Sequence, residues 1–206
     1  MTYKIAFTLI AVAGLAACEQ PEDLTLNRAD YRAFAADDEY ARDRLSITPA
    51  GDIPTGKATY EGHIRSEATL NGEDDYLVLG LLDLTIDISD TSTTAGSGDV
   101  RGSISEVNLL DNNDKGFEDQ AFSGNLTVSG RVVGGQIDAR ADGVLKGVLS
   151  DDVSRDSNGW DLTLEGNLRD DDAEVATGTI YGGTDGTTDD YNIQLQGGGR
   201  FYAERD

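Results

Sequence analysis

The sequence predicts an all-β protein: a single antiparallel up-and-down β-barrel of about eight strands, preceded by a polar, partly helical tether. Three observations lead there. Apolar residues recur at every second position through much of the chain: Leu82, Leu84, Ile86 and Ile88 oppose Asp83, Thr85, Asp87 and Ser89. Such a period of two belongs to a half-buried strand, whose side chains alternate between faces. Tight-turn signals punctuate the pattern at Asn71-Gly72, Ser129-Gly130, Asp142-Gly143 and Asn158-Gly159,. Finally, Gly62, Gly102, Gly124, Gly147, Gly166 and Gly178 lie inside predicted strands. Glycine weakens a flat strand but permits barrel bends and close approach over aromatic rings.

The first element is an export signal. Lys4 supplies a positive start, residues 5–15 are apolar apart from Thr8 and Gly14, and Leu15-Ala16-Ala17 places small residues before Cys18,. The apolar run is shorter than the roughly 20 residues a membrane-spanning helix needs. Leu15-Ala16-Ala17-Cys18 resembles the lipobox of bacterial lipoproteins. The resemblance implies a diacylglyceryl group on the Cys18 sulfur, cleavage before Cys18 and acylation of the freed amine. Two or more acyl chains hold stably, each buried methylene adding roughly 0.8 kcal/mol. The alternative is an ordinary cleaved signal with an incidental cysteine, but Cys18 is the one cysteine in the chain. In lipoproteins of enterobacterial type an Asp after the cysteine tends to retain the protein at the inner membrane; Glu19 stands there instead, so the resemblance implies the outer membrane, with periplasmic and surface-exposed display both open.

The remaining chain, 18–206, has room for a real core and, with Cys18 acylated, no cysteine left for disulfides, so packing and backbone hydrogen bonds must hold it,. With 39 acids against 16 bases and a net charge of −23, nucleic-acid binding is disfavoured, because phosphates demand a basic footprint. A basic protein or cationic ligand suits this charge, as does a purely solvated surface. The chain reads as a monomer with no cofactor.

Residues 18–55 form the tether. Within it, 27–45 reads either as one short helix with Asn27 as N-cap or as an ordered segment packing Tyr31, Phe34 and Tyr40 on the domain edge. Pro49, Gly51 and Pro54 mark the boundary with the barrel domain, 56–206,. Beyond it, strands are predicted at 57–64, around 82–88, at 99–107, around 122–128, at 131–139 and 142–149, around 162–168, and at 175–182 and 200–204. Closing this meander into a barrel removes its two open edges.

Gly56-Lys57-Ala58-Thr59-Tyr60-Glu61-Gly62 opens the domain. Gly102-Ser103-Ile104, Leu162-Thr163-Leu164-Glu165-Gly166, the run from Ala173 to Gly182 and Gly199-Arg200-Phe201-Tyr202-Ala203 follow. This order resembles the transferrin-binding-protein-B-like surface lipoproteins, a group that includes the barrel of factor H-binding protein. The likeness covers roughly residues 55–204 and rests on short glycine-based motifs. It implies a non-enzymatic binding lipoprotein. The chain departs from the two-lobed receptors in having one barrel, and the family's binding loops map onto no residue here, so binding residues stay unknown and transferrin binding is not implied.

Catalytic residues are not evident. His63, the lone histidine, sits on a predicted strand without a Gly-x-Ser-x-Gly elbow, so a Ser-His-Asp site there is outweighed by a hydrogen-bonded strand histidine,. Carboxylate pairs suited to glycoside hydrolysis arise by chance in so acidic a chain. The segment from Asp111 to Gly116 imitates the start of an EF-hand loop, but Lys115 and Phe122 occupy ligand positions,. A looser calcium site there or at Asp170-Asp171-Asp172 is an alternative to plain solvated turns. Candidate binding loops are 71–76, 91–98, 110–120, 151–159 and 184–190.

Overall fold

A computed structural model describes residues 24–88, 94–112, 119–148, 154–156, 159–184 and 192–206. It contains one helix, α1 (Arg28–Arg44), and twelve strands: β1 (Gly56–Leu70), β2 (Glu73–Ile88), β3 (Gly98–Asp111), β4 (Gln120–Ala121), β5 (Leu126–Val133), β6 (Gln136–Gly143), β7 (Lys146–Val148), β8 (Ser154–Asp156), β9 (Trp160–Arg169), β10 (Val175–Thr184), β11 (Ile193–Leu195) and β12 (Arg200–Arg205). Eight of these form a closed antiparallel ring in the order β1, β2, β3, β5, β6, β9, β10, β12, with β12 pairing back onto β1. The predicted up-and-down barrel is therefore the observed fold. Strand β11 continues the line of β12, bonding both β1 and β10, and β7 and β8 form a separate ribbon.

Alternation decides what faces inward. Leu82, Leu84, Ile86 and Ile88 point into the barrel with Ile64, Ile104, Leu126, Leu162, Leu164 and Phe201, all in one buried cluster. Phe201 lies across the Gly166–Gly178 pair. A Cβ on Gly166 would come within 2.6 Å of its ring, and one on Gly178 within 2.7 Å, so these two glycines make the space the ring fills.

Several expectations for local structure fail, among them the Asp142-Gly143 turn, which lies inside β6 paired with β9. A strand was expected across 131–139, with a turn at Ser129-Gly130; instead Ser129 and Gly130 are inside β5, and the chain turns at Gly134-Gly135. Both turn glycines have positive φ, +59° and +84°, as a two-residue hairpin turn matching strand twist requires. The predicted strand 142–149 is broken at Val144 and Leu145, because Leu145 turns inward and is fully buried. Gly124 lies in the connection before β5 rather than inside a strand. The Asn71-Gly72 hairpin falls where expected, with positive φ at both residues.

Residues 24–55 wrap the barrel. Asn27 caps α1: its side chain accepts from the Ala29 N–H at 2.8 Å, while Asp30 accepts from the Asn27 N–H at 2.8 Å,. Arg42 and Arg44 lie in the last turn, where cations suit the helix dipole,. Tyr31, Phe34, Asp38, Ala41 and Leu45 recur at helical spacing and face the barrel's outer wall. Tyr31 and Phe34 join Leu26 against Leu77, Leu79, Leu81 and Leu110, while Ala41 and Leu45 meet Val175 and Tyr202. The helix option for 27–45 is thus realised, with Tyr31 and Phe34 packed on the barrel wall and Tyr40 left exposed. Beyond the helix, Thr48 N–H donates to the Leu168 carbonyl at 3.0 Å, and Ile53 enters the core cluster as a plug.

The barrel consequently has two unlike poles. At one, the connections following β1, β3, β6 and β10 leave the ring; at the other lie the plug, the Gly134-Gly135 turn and the 3-10 turn Asp171–Ala173. Among the described residues no helix is long and apolar enough to cross a membrane.

Candidate functional site along the helix seam

His63 lies on the outer face of β1, beneath α1. Its ring stacks on Phe34 at 3.9 Å and on Tyr202 at 5.4 Å, and the residue is 4% exposed. Nε2 has no hydrogen-bond partner and stands 4.0 Å from Asp38 Oδ1, which also lacks one. Burial pulls the imidazole down to about 4, opposed in part by the Phe34 backbone and reinforced by the Arg65 charge. The ring is therefore neutral near pH 7 and walled off from any substrate by the two aromatic rings.

Asp38 is the polar centre of the seam. Its Oδ2 accepts from Arg65 Nε at 2.5 Å, with the two side chains 2% and 15% exposed. Burial pushes the Asp38 carboxyl up, and Arg65 draws it back only in part, as expected where desolvation outweighs pairing. Tyr31 presents its ring to the Arg65 guanidinium at 5.4 Å,.

The buried imidazole makes stability pH-dependent. The unfolded chain takes a proton near pH 6.5 and the folded chain only near 4. Unfolding is thus favoured as pH falls through this window, and the associated stability is complete above it. The expected loss between pH 7 and 4 is on the order of 3 kcal/mol. Urea unfolding across that range checks it; His63→Leu should flatten the dependence, and an equally steep curve in that variant would remove His63 as its cause.

Beside the seam is a groove of about 220 Å³ where Arg42, Arg169 and Arg200 converge with Asp38 and Glu165 over Gly166 and Gly178. Arg169 donates from Nη1 to the Leu45 carbonyl at 2.8 Å, but its Nε is buried without a partner. Arg200 donates to the Gly199 carbonyl at 3.0 Å. In a chain with only 16 bases, this arrangement can receive a carboxylate on the arginines and a donor on Glu165.

A wider groove, about 680 Å³, opens towards the plug pole between Tyr40, Asp170, Asp172, Glu174, Glu204 and Asp206, with Arg205 the one cation among its lining residues. Tyr202 donates to Glu204 there, and burial and the neighbouring acids hold its hydroxyl proton well beyond the usual tyrosine range. Asp37 is likewise pushed up, by burial first and Glu204 second. This groove offers acceptors to a basic segment.

Cys18 lies outside the described residues. Of the expected loops, 71–76 is described throughout, and Asp74 accepts there from Gln196 Nε2 at 2.9 Å. The others are described in part. Four leave from one pole, whereas 91–98 belongs to the plug pole. Residues 113–118 of the calcium-like loop also lie outside the described set, and its flank Asp119 pairs with Arg28 at 2.9 Å. At Asp170-Asp171-Asp172, the Asp170 carboxylate accepts from the Asp171 N–H at 2.9 Å. Among the described residues no group of three acids, histidines or cysteines is placed to hold a metal.

The sequence reading passed over Asp38, Arg65 and the three groove arginines. One signal was available: Asp38 falls in phase with Tyr31, Phe34 and Ala41 on an otherwise apolar helix face. No protein-family model matches the chain, and no curated protein matches it.

Proposed function

We propose that this protein is a non-enzymatic lipoprotein of the bacterial envelope, anchored in the outer membrane through acylated Cys18, whose barrel is a rigid mount for recognising a protein or small ligand. The observation that carries this reading is the pair of charged grooves on the outer wall of a filled barrel. Side chains from Ile53 at the plug pole to Phe122, Leu145 and Trp160 at the other form one buried cluster. Recognition then falls to the loops and the outer wall, where the two charged grooves lie. The motif resemblance to transferrin-binding-protein-B-like lipoproteins points the same way, by fold analogy alone.

The net charge of −23 favours a basic partner whose binding weakens with salt. Affinity capture with a soluble form beginning at Glu19 tests this. A basic protein should be retained, be released by high salt, and be captured less by Glu174→Lys/Glu204→Lys, which reverses two charges of the acidic groove. Capture indifferent to salt and to that variant would refute the electrostatic part. The filled interior itself favours a second reading, a structural envelope subunit with a solid core and no ligand, for which capture should retain nothing,.

A further inference from the structure

The chain enters the barrel at the pole that bears its long connections. Leu26 packs on Leu77, Leu79 and Leu110. Thr25 Oγ1 accepts from Asn108 Nδ2 at 3.0 Å, and Arg28 binds both Asp119 and the Asp111 carbonyl, on either side of the connection between β3 and β4. From there α1 runs down the wall, and 46–55 ends in the plug at the opposite pole.

We propose that the loop pole is a membrane-facing surface and that the plug pole, with the acidic groove beside it, faces away from the bilayer. This rests on the reading of Cys18 as the lipid anchor. Six peptide steps separate Cys18 from Leu24, and even fully stretched they span at most about 22 Å. The loop pole is therefore held within that distance of the headgroups. Helix α1, with 17 residues, covers about 25 Å of wall. An inverted molecule would lift Leu24 away from the bilayer by the height of the wall, which strains a tether of six peptide steps, so the loop-pole-down orientation is favoured.

The orientation sorts the possible contacts. A folded soluble protein has little room between the loop pole and the bilayer, so a macromolecular partner meets the plug pole or the wall. The loops following β1, β3, β6 and β10 are left to small ligands or to membrane-embedded partners.

The test uses the full chain, produced with its anchor and reconstituted into phosphatidylethanolamine–phosphatidylglycerol vesicles carrying a headgroup-linked energy acceptor. With Cys18 acylated, an introduced cysteine is the only free thiol. Donor dyes are placed by Glu73→Cys at the loop pole and Asp52→Cys at the plug pole, both exposed positions. Energy transfer should be several-fold stronger from position 73 than from 52. Equal or reversed transfer in a protein shown by intact mass to be acylated, and by flotation to be vesicle-bound, overturns the orientation alone. Absence of the acyl mass and of flotation overturns the anchor reading, and the orientation with it.

Discussion

Replacing Phe201 with alanine is expected to lower the unfolding free energy by about 3–5 kcal/mol, among the largest losses any single truncation in this barrel can produce. Phe201 is fully buried, and its ring occupies the space left by Gly166 and Gly178 on the neighbouring strands. Neither glycine has a side chain that could relax into the vacancy. Collapse would require the backbones of β9 and β10 to move, and these are fixed by a continuous ladder from Val175↔Arg169 to Thr184↔Trp160. The void should therefore persist, adding a cavity term to the lost transfer energy. Urea unfolding should show a lower midpoint at an unchanged slope. Phe201→Leu, which retains most of the volume, should lose less than half as much. A Phe201→Ala loss under about 1 kcal/mol would mean that the ring is not part of a close-packed interior.

The second large effect is expected at Asp38. Alanine there leaves the Arg65 guanidinium, 15% exposed, beneath the helix without its carboxylate, which should destabilise the protein by about 3 kcal/mol. The same reasoning predicts recovery. In Asp38→Leu/Arg65→Met both charges are gone, no desolvation remains uncompensated, and most of the loss should be restored. Hydrogen exchange separates local from global effects. In Asp38→Ala the amides of α1 should lose protection more than those of β5 and β6 on the far wall, because the ion pair joins the helix to β1 rather than strand to strand,. Uniform loss across helix and barrel, or no loss, would show that the pair does not fasten the helix.

Much of the barrel was legible because each strand carries its own evidence. The alternation from Leu82 to Ile88 specifies which side chains turn inward without reference to the rest of the chain. The Asn71-Gly72 turn was equally local. The failures occurred where several local signals competed. Ser129-Gly130 and Gly134-Gly135 are both plausible turn dipeptides, and the choice lies with the pairing of β5 and β6, which sets Gly130 opposite Ala139. A bulge also escaped the periodic reading. Glu106, with φ of +49°, shifts the register between β2 and β3 and moves Val107 and Leu109 inward,.

The seam was less legible for a different reason. Leu77, Leu79 and Leu81 stand on the face opposite Leu82 and Leu84, so the run from Tyr76 to Leu82 is apolar on both sides. Such a run says that both faces of the strand are covered, but it does not name the cover. The pairing of Asp38 with Arg65, the burial of His63 and the convergence of Arg42, Arg169 and Arg200 join residues from α1 with residues far along the chain. No spacing rule links them.

By itself, then, the sequence determined the all-β class, the inward faces of most strands and the strong acidity, because each follows from neighbours along the chain. Only the tertiary structure decided ring closure between β1 and β12, the docking of α1 on the outer wall, the plug at Ile53 and the pole at which the chain enters. These are contacts between distant segments, selected by burying apolar surface and satisfying backbone groups across the whole domain at once.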